Sequence, residues 1–316
     1  MFGGQGSQYY QMGIELYRMH PVFRSWMNRL DSLVSEIAGF SVIAHLYDDR
    51  KSLVMDFDNL THTHPAIFMI QYSLARTLME EGIEPDVLLG LSLGEYVSAA
   101  VANVVEVEAM LETVLLQSEL IQSACEKGGM IAILSNSDLY DTFPQLHMAS
   151  SLVAVNYDGH FVIAGKEAGL SSVESWLSTN GILHQRLPVS YAFHSAYMEP
   201  IKTAYMHHLR SLTYQAPTVP WLPCASGDFC EAANANHLWQ AIREPMRLGE
   251  ALKILEQQQQ DYMYVDLSPS GTLAAMVTKI QGRSDNSRIL PIITKFNQDA
   301  SHLRRVIDWG LNGLAR

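Results

Sequence analysis

The pentapeptide Gly90-Leu91-Ser92-Leu93-Gly94 constrains this chain more than any other stretch. It follows a short apolar run, Val87-Leu88-Leu89, that reads as a buried strand. It precedes an alanine- and valine-rich segment, Leu93 to Ala102, that reads as a helix. Strand, Gly-x-Ser-x-Gly, helix is the context of a nucleophile elbow, a turn too sharp to leave room for a Cβ on either side of the serine. Such a turn calls for an α/β architecture. It also aims the free N–H groups of the helix start at the serine oxygen, where an oxyanion would form.

Other elements follow from pattern. One helix is expected from about Tyr9 to Met27. A second is expected to begin at Pro65, whose missing N–H costs nothing at a first helical position, and to stop at Gly82. A helix is expected from Glu106 to Ser123. From Gly128 the texture changes to strand (130–134), short helix (138–143), two strands (152–155 and 161–164), helix (170–179) and strand (182–189). This β-α-β-β-α-β order predicts a ferredoxin-like unit lying as a lid over the site. Beyond it, helix is expected over 194–212 and 248–258 and strand over 221–225 and 264–267. The fold class is thus α/β. An α/β-hydrolase-like catalytic subdomain of residues 1–127 and 193–316 carries an inserted ferredoxin-like small subdomain of residues 128–192.

Charge and cysteine content narrow the functions. A net charge of −12 argues against nucleic acid or an anionic membrane as partner, since both need a basic footprint. It also means that an acidic partner protein would need a local basic patch. No apolar run reaches the ~18 residues of a membrane span. Met1-Phe2-Gly3-Gly4 lacks the charged-then-apolar pattern of a secretory signal. Cys125, Cys224 and Cys230 form neither a disulfide framework nor a metal spacing, which fits free thiols in a reducing cytoplasm. His62 and His64 are close in sequence, but Pro65 follows directly. No metal is expected, and His64 reads as pocket-lining or helix-capping.

Four further motifs join the elbow: Gly4-Gln5-Gly6-Ser7-Gln8, Val155-Asn156, Val162-Ile163-Ala164-Gly165 and Ala192-Phe193-His194-Ser195. In order and spacing the chain resembles the acyl-carrier-protein acyltransferases of fatty-acid and polyketide synthesis, over essentially its whole length. Within them it looks most like the acyl hydrolases of polyketide pathways whose acyltransferases act in trans. The resemblance implies that Ser92 forms an acyl-enzyme and that His194 is its general base. It implies an oxyanion hole from the Leu93 N–H with Gln5. It implies that a backbone carbonyl, at Arg247, orients the histidine in place of a triad aspartate. Asn156 matches a position near the base. No cofactor is implied, because the acyl group rides on the phosphopantetheine of acyl carrier protein, the implied partner.

Gln117 is the informative departure. The malonyl-transferring members place an arginine there, and this chain has no arginine between Arg76 and Arg186. Arginine grips a carboxylate with two parallel, charge-assisted hydrogen bonds, whereas glutamine offers a dipole alone. Burying a carboxylate without a cation costs several kcal/mol. Leu91 stands where malonyl-type enzymes carry histidine, which makes the pocket less polar. Phe193 keeps the malonyl-type form. The expected substrate is therefore a short uncharged acyl thioester, acetyl or propionyl, removed by hydrolysis. Transfer of a malonyl or other acyl group from coenzyme A to carrier protein is the alternative.

Overall fold

The structure, a computed structural model, describes residues 1–281 and 288–313; the rest of the expected 193–316 segment lies outside them. The chain opens with helices α1 (Ile14–Met19), α2 (Pro21–Ala38) and α3 (Val42–Leu46). Where one helix was expected over Tyr9–Met27, two occur. Gly13 is left-handed at φ 70°, and Pro21 begins a new helix after an extended His20. Helix α4 (Leu60–Glu80) starts five residues before Pro65. The Asn59 side chain caps it by accepting from the Thr61 N–H at 3.0 Å, and this start outweighs the single backbone bond Pro65 cannot donate. Gly82, at φ 84°, ends it as expected.

Strand β1 (Leu88–Gly90) leads into α5 (Leu93–Val101), and α6 (Val107–Ala124) follows. Helices α4, α5 and α6 pack together in the main core. Nearly all of α4 from Thr63 to Leu78 is buried, so it reads as continuously apolar rather than amphipathic.

A four-stranded antiparallel sheet comes next: β2 (Gly128–Ile133), β3 (Ser151–Tyr157), β4 (His160–Lys166) and β5 (His184–Arg186). Short helices α7 (Asp138–Thr142) and α8 (Pro144–His147) link β2 to β3, and α9 (Glu167–Thr179) links β4 to β5. The spatial order β3-β4-β2-β5 is the ferredoxin-like arrangement that the element order predicts. Its outer core is separate: Ile131, Ile133, Phe161 and Ile163 pack against Leu170, Val173 and Leu177 of α9.

After a 3-10 turn (Ala196–Ile201) and α10 (Lys202–Ser211), the chain returns to the larger unit. Strand β6 (Trp221–Pro223) pairs with β1 in parallel. Helices α11 (Ala235–Arg243) and α12 (Leu248–Gln257) precede β7 (Met263–Asp266), α13 (Thr272–Ile280), β8 (Arg288–Pro291) and α14 (Asp299–Gly313). Strands β7 and β8 are parallel. Met1 and Phe2 join the two pairs: Phe2 bonds Leu89 and Leu91 of the β1 side, and Met1 bonds Val265 and Leu267 of the β7 side. The result is a parallel sheet flanked by helices, whose buried strands carry few polar residues.

Candidate active site

Ser92 sits between β1 and α5 with φ 58° and ψ −125°, a conformation L-residues rarely adopt. The surroundings over-determine it. A Cβ on Gly90 would lie 2.6 Å from Glu95 Cα, and one on Gly94 would lie 2.1 Å from the Phe2 carbonyl oxygen. On the opposite side, a Cβ on Gly4 would come within 2.7 Å of Ser92 Cβ. Glycines at all three places let the first residues of the chain press against the elbow. Leu93 is the first residue of α5, so its N–H has no intrahelical carbonyl.

His194 Nε2 lies 2.9 Å from Ser92 Oγ. Its Nδ1 lies 3.0 Å from the carbonyl oxygen of Glu244. A carbonyl only accepts, so Nδ1 carries the proton and Nε2 presents its lone pair to the serine hydroxyl. His194 itself has φ 62° and is pinned by its own N–H bonding the Ile242 carbonyl at 2.9 Å. Burial holds its pKa down to about 4, against a smaller upward pull from the Glu244 carbonyl. The ring is therefore neutral at pH 7, the form a base must have.

The orienting carbonyl corrects the expectation for Arg247. Arg247 donates its backbone N–H to Cys224 at the start of α12, and its guanidinium lies 3.8 Å from Glu250. Glu244, the residue after α11, turns its carbonyl to the histidine instead. A backbone acceptor has no side-chain signature, so sequence reading could place it only to the right loop.

The remaining predicted residues separate into two groups. Gln5 reaches inward, donating to Thr63 Oγ1 at 3.0 Å. His64 is buried on α4 with its ring 6.0 Å from that of Phe193, the neighbour of His194. Gln117 is fully buried on α6 and donates to the Tyr205 hydroxyl at 2.9 Å. Tyr205 is also hydrogen-bonded to Tyr96, one turn along α5 from Ser92. His64 is thus linked to the dyad through Phe193, and Gln117 through Tyr205 and Tyr96. Leu91 and Asn156 point to other work. Leu91 packs in a second apolar cluster with Leu222, Leu248 and Leu252. Asn156 pairs its amide with His160 Nδ1 at 3.0 Å across the β3–β4 turn. His62 stacks on His45, ring centroids 4.1 Å apart.

Sequence reasoning missed Tyr205, Thr63 and Glu95. Glu95 is buried behind the elbow, and its Oε1 accepts the Ala225 N–H at 2.8 Å. Burial drives its carboxyl pKa well up, against the pull of the Ala225 and Cys224 N–H groups, and the side chain braces α5 against the end of β6. Its place directly after Gly94, in the first turn of the helix, was the available signal.

A serine oxygen facing an unprotonated ring nitrogen at the start of a helix is equipment for acyl transfer through an acyl-enzyme. Residues 1–308 match the acyl transferase domain family, and the chain belongs to it. It is 42% identical over 306 residues to the polyketide biosynthesis acyltransferase homolog PksD of Bacillus subtilis, covering 97% of this chain and 94% of that one. It is 40% identical over 308 residues to the polyketide biosynthesis acyltransferase homolog BaeD of Bacillus velezensis, covering 98% and 95%. Among solved structures, the acyltransferase domain from the second module of the salinomycin polyketide synthase superposes with a TM-score of 0.86 at 28% identity, covering 98% of this chain and 72% of that one. A loading acyltransferase from the avermectin modular polyketide synthase shares the fold, with a TM-score of 0.85 at 21% identity over 97% of each chain.

Proposed function

We propose that this protein hydrolyses short uncharged acyl groups, such as acetyl or propionyl, from acyl carrier protein thioesters in polyketide biosynthesis. The observation that carries this reading is Gln117: neutral, fully buried, with its amide committed to Tyr205, which in turn bonds Tyr96 one turn along α5 from Ser92. Ser92 Oγ attacks the thioester carbonyl as His194 Nε2 takes the hydroxyl proton. The oxyanion is held by the Leu93 N–H at the start of α5, together with Gln5. The intermediate collapses, the carbon–sulfur bond breaks, and His194 returns the proton to the pantetheine thiolate. Water then attacks the acyl-Ser92 ester with His194 again as base, and the free acid leaves.

A cleft of about 1020 Å³ lies between the two units, its charged lining made of Lys127, Arg186 and Lys295 with Asp56, Asp58, Glu167 and Glu174. Arg186 is neutralised by Glu167 and Glu174, whereas Lys127 and Lys295 rest over the rings of Tyr191 and Tyr9. The charged lining of this cleft is therefore mixed, with Lys127 and Lys295 sharing it with Asp56 and Asp58.

Incubating the enzyme with acetyl- and malonyl-loaded carrier protein and weighing the carriers tests the reading. Loss of acetyl with malonyl retained is expected; persistent acetyl loading with malonyl transfer overturns it. Acyl transfer from coenzyme A to carrier protein is the second reading, supported by the acyltransferase naming of PksD and BaeD. Gln117→Arg separates the two at the substrate level: malonyl loading of Ser92 should rise on the variant, and no rise removes the clamp argument.

A further inference from the structure

The loop from Gly3 to Gln8 is rich in glycine and lies outside every helix and strand. Its glycines leave it free to move, and Gly6 uses that freedom at φ 104°. Yet the loop presses on the nucleophile: a Cβ on Gly4 would lie 3.1 Å from Ser92 Oγ. Side chains hold it there. Gln71, fully buried on α4, accepts the Gly3 N–H at 2.7 Å and donates to the Gly3 carbonyl at 3.0 Å. The Ser7 hydroxyl donates to the Gly4 carbonyl at 2.9 Å. Gln8 Oε1 accepts the Gly6 N–H at 2.7 Å. Ser7 and Gln8 are both buried.

The last two bonds bracket Gln5. In a planar trans peptide the C=O and the N–H point opposite ways. Ser7, by holding the Gly4 carbonyl, therefore fixes the direction of the Gln5 N–H. Gln8 fixes the next peptide unit through the Gly6 N–H. The Gln8 amide is itself held against turning over, because its Nε2 donates to the carbonyls of Phe57 at 3.1 Å and Pro188 at 3.2 Å. The Gln5 side chain is tied elsewhere, to Thr63 Oγ1 at 3.0 Å. Its backbone N–H is left over. Like the Leu93 N–H, it has no acceptor among the described residues.

We infer that Ser7 and Gln8 are positioning residues, which hold the Gln5 backbone N–H as the second donor to the oxyanion beside the Leu93 N–H. The inference rests on the reading of Ser92 as the acylated residue. Both side chains act through the loop rather than on the acyl group. Each removes a freedom that the glycines would otherwise leave, so the donor needs no reorganisation when charge develops on the carbonyl oxygen.

The test uses the full chain and acetyl-loaded carrier protein, with Ser92 acylation followed by mass. The oxyanion develops on the way to the transition state, so a misplaced donor lowers kcat and kcat/KM together and leaves KM unchanged. Ser7→Ala and Gln8→Met should each lower both by ~10-fold or more, part of the roughly 10²–10³-fold that loss of a whole donor costs. Ser7→Thr, which restores the hydroxyl, should recover most of the loss. A trifluoromethyl ketone on a pantetheine arm adds to Ser92 and carries the oxyanion, so its affinity should fall with kcat. The amide analogue of the thioester, which mimics the ground state, should bind unchanged. Each variant is read once its melting temperature shows it folded, and Gln8→Met is the second arm should Ser7→Ala not fold. An unchanged kcat in a folded variant, a loss confined to KM, a Ser7→Thr as slow as Ser7→Ala, or equal weakening of both analogues overturns the inference and leaves the hydrolase reading standing. Failure of the unaltered enzyme to acylate Ser92 defeats that reading and this one together.

Discussion

At the residue scale, the pair Ser92 and His194 makes two firm predictions. Ser92→Ala should abolish the acyl-enzyme, seen as loss of any mass increase after mixing with acyl carrier protein. His194→Ala should lower kcat/KM by roughly 10²–10⁴-fold, the usual contribution of a general base. The pH profile follows from burial. With His194 held down to about 4, the ring is unprotonated, and competent, above that value. The acylation kcat/KM should therefore stay flat as pH falls from about 8 to 5 and be halved near 4, whereas a base at the ordinary histidine value would lose half its activity near 6.5. A profile that breaks near 6.5 contradicts the desolvated base. Ser92 and His194 were legible in the sequence because each is a side chain in a motif. Glu244 was not, because only its carbonyl acts, and the left-handed φ of His194 leaves no mark on a non-glycine residue.

At the element scale, the elbow is the strained part and its glycines are its tolerance. Gly94→Ala places a methyl 2.1 Å from the Phe2 carbonyl, where backbone must move. We expect a loss of at least about 1–3 kcal/mol, the usual range for overpacking, measured by urea unfolding, and activity lost beyond what stability explains. The β-α-β-β-α-β order of the small unit was readable from alternating apolar strands and the Gly181 stop. Helix starts were read less well. Pro65 looked like a first residue because it suits that place, yet the Asn59 cap set the boundary earlier. Helix α11 went unread although Ala235, Leu238, Trp239 and Ile242 recur at helical spacing. Its capping box uses His237 where glutamate or glutamine is the usual signal.

At the scale of the whole molecule, buried titratable groups couple the fold to pH. His62 is held down to about 4 by burial and by His45, against about 6.5 in an unfolded chain. A depressed value means that its contribution to stability is complete above about 6.5 and is lost as pH falls toward 4. Asp299 works in the opposite sense. Its pKa is raised to about 6, chiefly by burial, so protonation favours the folded chain as pH falls. The histidine part is isolated by substitution: the melting temperature of His62→Gln should fall less between pH 6.5 and 4 than that of the unaltered chain. An equal fall in both means that His62 carries none of the acid sensitivity.

The serine and the histidine that meet at 2.9 Å are 102 residues apart in the chain, and the entire antiparallel unit is threaded between them. Such a contact closes a long loop before it returns any stabilisation, and contacts of this kind form late in folding. Activity is thus a readout of completed assembly. On dilution from denaturant, tryptophan fluorescence should recover first and thioester cleavage should lag behind it, because the last event is the meeting of the two chain segments that make the chemistry.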